Sequence, residues 1–163
     1  MDNYNPGNNF NPPWIGQKDT AQTAVICDGI KSVGDYAFNN FLSLKSVSIP
    51  NSITSIGASA FNNCNQLIRV NIPSTVTNMG NYAFQGCTSL VSVSLPNTIK
   101  SIPQYLFSGC NHLNSITIPN SVTTIGQCAF CNCESLEVIS IPDSVMTICA
   151  SAFNLCKGLK SVT

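Results

Sequence analysis

Cysteine is the residue type in this chain with the widest chemical range. There are nine, and four fall close together: Cys128, Cys131 and Cys133, with Cys149 a little further on. Clustered thiols can hold a metal, close a disulfide or fill a core. A zinc centre needs about four ligands converging on one point. The pattern set out below turns Cys133 inward and Cys128 elsewhere, so no metal site is expected. A local disulfide involving Cys149 stays open as an alternative, while the odd total argues against a complete disulfide framework. Cys64, Cys87, Cys110, Cys133 and Cys156 follow one another at a fixed step of 23 residues. That regularity points to a column of small buried thiols.

Conventional catalysis has less to draw on. The one histidine, His112, stands where other copies of the pattern carry Gln66, Ser89, Ser135 and Gly158, which reads as a surface turn rather than a general base. Asp35, Glu134, Glu137 and Asp143 occupy outward or turn positions, and no pair is set for acid–base work. Hydroxyls are abundant, but a nucleophile needs an activating base and none is evident. Glycine-rich phosphate-binding fingerprints are missing as well. The chain is expected to be no enzyme and to take no cofactor.

The elements that would position these residues are dictated by the same 23-residue step. Phe38, Phe61, Phe84, Phe107, Phe130 and Phe153 keep it, as do Leu44, Leu67, Leu90, Leu113, Leu136 and Leu159, and Pro50, Pro73, Pro96, Pro119 and Pro142. Such a period marks a solenoid, in which each unit buries its apolar face against its neighbours. The unit reads L-x-x-[VI]-x-[IL]-P-x-[ST]-[VI]-x-x-[IM]-G-x-x-A-F-x-x-C-x-x. Val47 and Ile49 alternate with Ser46 and Ser48, a short strand. Pro50 cannot donate to a ladder and ends it. Ile53 and Ile56 predict a second short extended segment, and Gly57 a bend that a side chain would hinder. Ala60, Phe61 and Cys64 fall at the spacing of one helical turn, which predicts a short helix or helical turn. Five complete units run from 44 to 158, a degenerate one precedes them and a truncated one occupies 159–163. Residues 23–163 thus form the solenoid, and stacking at about 4.8 Å per strand makes it on the order of 30 Å long. Departures from the unit, Pro103 and Cys149 for Gly, Leu106 for Ala and Phe41 for Cys, suggest local adjustment rather than loss of a coil.

From about Gly29 to Thr163 this unit resembles the BspA-like leucine-rich-repeat family, whose repeat reads much like L-x-S-I-x-I-P-x-S-V-x-x-I-G-x-x-A-F-x-x-C. The resemblance implies an α/β repeat: a right-handed solenoid with a parallel sheet on one face and short helical turns and short extended segments on the others. It also implies a surface-exposed protein of the kind implicated in adhesion and in binding host proteins.

Only 9% of the residues are charged and the net charge is zero. Nucleic acid needs a positive face, so it is not an expected partner, nor is an anionic membrane surface. The first residues lack a basic start and an apolar run, and no stretch approaches the roughly 20 apolar residues of a membrane span. Those features and the lack of an N-x-[ST] sequon fit a cytoplasmic setting, whereas the family resemblance implies the cell surface.

The expected binding surface is the outward row of the principal sheet, hydroxyl-rich and extended as repeat proteins' recognition faces are. Its residues are Lys45, Ser46 and Ser48; Ile68, Arg69 and Asn71; Val91, Ser92 and Ser94; Ser115 and Thr117; and Glu137, Val138 and Ser140. Arg69 is the one arginine and a favoured type of interface anchor. The expected partner is a protein. An alternative is an intracellular scaffold making homotypic contacts. Residues 1–22 form an Asn/Pro-rich arm, expected either to be disordered or to cap the first coil through Trp14 and Ile15. The last coil shows no cap, which leaves self-association through that end open.

Overall fold

The computed structural model describes residues 14–163. The expectations for residues 1–13, and for the side chain of Ile15, lie outside the described residues. The rest winds into coils held by two rows of short parallel strands. The principal row comprises β1 (Thr23–Val25), β3 (Ser46–Ser48), β5 (Arg69–Asn71), β7 (Ser92–Ser94), β9 (Ser115–Ile116), β11 (Val138–Ile139) and β13 (Ser161–Val162). The second comprises β2 (Ser32–Val33), β4 (Ser55–Ile56), β6 (Asn78–Met79), β8 (Ser101–Ile102), β10 (Thr124–Ile125) and β12 (Thr147–Ile148). Every pairing is parallel and in 23-residue register, as in Thr23 opposite Ser46 and Ser32 opposite Ser55. Alternation explains the principal row: Val70, Val93, Ile116 and Ile139 turn into the core between exposed or half-buried neighbours.

Neither row is continuous. The second stops between β6 and β8, and Pro103 supplies a reason. In other coils the residue at this position donates its N–H to the coil before: Gly57 to Val33 O and Gly80 to Ile56 O at 2.8 Å, Gly126 to Ile102 O at 2.8 Å, Cys149 to Ile125 O at 2.9 Å. Proline has no N–H to give. In the coil of Gly126 the space beside this residue is filled, since a Cβ there would lie 2.7 Å from the Ile102 carbonyl oxygen. The principal row stops between β9 and β11, where no proline intervenes.

The spacing of Ala60, Phe61 and Cys64 predicts a helical turn, and here the structure differs. Among the described residues the one helical segment is a single 3₁₀ turn, Ile15–Gln17, so the architecture is a β-solenoid rather than α/β. The cause is where the amides point. Ser59, Phe61 and Asn63 donate to the next coil, at Asn81 O, Ala83 O and Gln85 O (2.9, 2.8 and 2.7 Å), while Asn62 and Cys64 close tight turns on Ser59 O and Phe61 O. Alternate amides committed between coils cannot also build an α-helix. Two residues per coil take left-handed backbone to achieve this, Ser59 (φ 52) and Asn63 (φ 57) in the first full unit. The second position recurs as Asn40, Gly86, Gly109 and Asn132, types that tolerate positive φ, and as Leu155 (φ 58) in the last full unit.

The interior is a stack of rings. Phe38 to Phe153 lie over one another with centroids 5.2–5.8 Å apart, and Phe61, Phe84, Phe107 and Phe130 are fully buried. The two widest spacings, 5.8 and 5.7 Å, flank Phe107, whose coil carries buried Leu106 in place of Ala. Phe41, in place of Cys, meets Phe38 edge-on at 5.4 Å. Trp14 extends the stack beyond Phe38, with centroids 5.9 Å apart, and its Nε1 donates to Ala37 O at 2.8 Å.

Candidate binding face

The residues singled out from the sequence lie together on the outward side of the principal row. All are exposed except Val91 and Ser92, which are half-buried. Register sets them in files: Ser46, Arg69, Ser92 and Ser115 stand side by side, as do Asn71 and Ser94. Strand pairing occupies the main chain and leaves the side chains to face solvent. Thr117 and Ser140 follow β9 and β11 rather than sitting within them, because both strands are a residue shorter than their earlier counterparts. Arg69 makes no ion pair among the described residues, and its strand neighbours Ser46 and Ser92 are neutral. Ile68 and Val138 expose apolar side chains at 46% and 52%.

The gap between β9 and β11 falls within this face. Lys45, Ile68, Val91 and Asn114 each donate an N–H to the residue 23 positions earlier, at 2.8–3.3 Å, and Lys160 does so to Glu137 O at 2.8 Å. Among the described residues the corresponding bond from Glu137 to Asn114 O is not formed. A groove lies there, lined by Asn114, Ser115, Glu134, Ser135, Glu137, Val138 and Gly158. Ser115, Glu137 and Val138 belong to the predicted face. Glu134, Ser135 and Gly158 lie outside the row that the repeat predicts, since they occupy the turn before each strand and nothing in the repeat marks where coils part. Two ion pairs join neighbouring coils beside the groove, Lys157–Glu134 at 2.7 Å and Lys160–Glu137 at 3.0 Å.

The thiol column lies inside the solenoid. Cys64, Cys87, Cys110 and Cys133 are fully buried, and with Cys156 each donates its thiol to a phenylalanine carbonyl 26 residues earlier, at 3.0–3.3 Å. Burial pushes the Cys64 thiol up to about 12, and raises Cys87, Cys110 and Cys133 as well. All nine cysteines are free thiols, Cys149 included. Among the described residues no group of His, Cys, Asp and Glu is placed to hold a metal. His112 is exposed, with Nδ1 2.7 Å from Thr88 O. No described helix is long and apolar enough to cross a membrane.

Residues 20–163 match the family described as BspA type leucine rich repeat region, in six copies. Among solved structures, the T. pallidum leucine-rich-repeat protein is 32% identical with a TM-score of 0.82, over 89% of this chain and 69% of that one. A leucine-rich-repeat protein from Eubacterium ventriosum is 29% identical with a TM-score of 0.82, over 88% of this chain and 39% of its own. One from Bacteroides ovatus is 26% identical with a TM-score of 0.50, over 86% and 54%. No curated protein matches.

Proposed function

The chain belongs to the BspA-type leucine-rich-repeat family, and we propose that it is a non-catalytic, adhesin-like surface module that binds protein through the outward face of its principal strand row. The observation that carries this reading is the interruption between β9 and β11. There a groove opens in a face otherwise made of regular hydroxyl files, beside the exposed Val138 and the Asn114 carbonyl left unmatched by Glu137. An extended protein segment brings both things such a site can use, main-chain donors and apolar side chains. Arg69 supplies a cation free to pair with a partner's carboxylate.

The test is binding of the full chain, Arg69→Ala and Val138→Ser to a panel of immobilised extracellular host proteins. Each variant is expected to weaken capture of the same protein about tenfold, the order of a lost anchor contact. Equal binding by all three removes the assignment to this face. Protease shaving of intact cells separates surface display from an internal scaffold, because only a displayed chain is cleaved.

A further inference from the structure

The turn side of the solenoid carries another file of side chains. At the first left-handed position, successive coils present Tyr82, Tyr105 and Cys128. The two tyrosine rings stack with centroids 4.9 Å apart at 14°. Three residues on, Cys131 stands where other coils carry Asn62, Gln85 and Ser108. Its N–H donates to Cys128 O at 3.1 Å. That turn brings the two Cα atoms within about 7 Å, close to the range a disulfide spans. Asn132 Nδ2 donates to Cys131 Sγ at 3.6 Å. Neither cysteine is imposed by the repeat. Both keep some exposure, 9% each, whereas the inward column at Cys64, Cys87, Cys110 and Cys133 has none.

We propose that Cys128 and Cys131 form a reversible dithiol–disulfide site on the turn face, oxidised by low-molecular-weight disulfides such as oxidised glutathione. One thiolate of the pair attacks a glutathione sulfur, forming a mixed disulfide and releasing one glutathione thiolate. The other cysteine, deprotonated in turn, attacks the protein sulfur of that mixed disulfide. The Cys128–Cys131 bond forms and the second glutathione leaves. The electron pair passes to glutathione, the thiol protons end on the released glutathiones, and excess reduced glutathione reverses the reaction. The thiolate is the attacking species, and burial, then the neighbouring Cys128, raise the Cys131 thiol. Exchange therefore quickens toward alkaline pH.

The experiment exposes the folded chain to oxidised glutathione at mildly alkaline pH, blocks the remaining thiols by alkylation under denaturing conditions, and locates modifications by tandem mass spectrometry. The expected product lacks two hydrogens across Cys128 and Cys131, while the exposed Cys27 carries glutathione and the inward column is alkylated. Cys131→Ser is expected to trap glutathione on Cys128, and Cys27→Ser to leave the internal bond unchanged. Reduced glutathione restores both thiols. Separate glutathionylation of Cys128 and Cys131, or no reaction at either while Cys27 reacts, overturns the proposal. So does a bond that forms only in denaturant.

Discussion

A buried thiol in this molecule is both a packing unit and a titratable group. The Cys64 thiol rises from an ordinary 9.0 to about 12, chiefly through burial. The folded state therefore holds its proton more tightly than the unfolded one. This contribution to stability is fully present below about pH 9 and is lost as pH climbs toward 12, at about 1.4 kcal/mol per pH unit for such a thiol. Melting temperatures of the wild type between pH 8 and 11 should fall more steeply than those of Cys64→Ala. Parallel curves would show that the thiol does not contribute. The ring stack gives a larger residue-scale effect. Phe84 is fully buried between Phe61 and Phe107, and Phe84→Ala should cost about 3–5 kcal/mol in urea unfolding. A cost below about 1 kcal/mol would mean that neighbouring coils collapse into the space.

Between coils, the limiting quantity is the distance from one backbone to the next. A Cβ at Gly126 would meet Ile102 O at 2.7 Å and Gln104 N at 2.8 Å, backbone atoms that cannot swing aside. Gly126→Ala should therefore destabilise by more than about 2 kcal/mol, whereas Gly16→Ala, with nothing within 4 Å of the new Cβ, should be near neutral. Equal melting temperatures for the two variants would remove close approach as the reason for glycine. This scale also shows what the sequence could and could not reveal. Strand alternation at Val47 or Val70 reads directly, because period two has one structural meaning. The Ala60–Phe61–Cys64 spacing is ambiguous: turns bonded to the next coil repeat the same inward residues that a helix would. The break at β6 and β8 is legible in Pro103, a missing donor, and agrees with a local adjustment there. The break at Glu137 has no such mark, so the face was legible as a row of exposed residues but its groove was not.

Taken whole, the solenoid repeats one interior, and the side of its first coil that faces Trp14 shows how an unstacked coil face is treated. Below the first coil lies a hollow lined by Ala24, Ile26, Val33, Phe38 and Phe41, with Trp14 at its edge. Trp14 lies where the ring of a preceding coil would lie and bonds the Ala37 carbonyl. Each coil gains its stability from its neighbours, so a side chain in that place should act as a substitute neighbour. Trp14→Ala is expected to cost about 2 kcal/mol, a fall of roughly 4–8 °C in Tm for a chain of this size. Trp14→Phe, which keeps the stack and loses the Nε1 bond, should fall between that variant and the wild type. Deleting residues 1–20 should lower Tm at least as far as Trp14→Ala does. An unchanged Tm in the deletion would mean that the first coil stands without a cap, and that the contact between Trp14 and Phe38 adds nothing to the array.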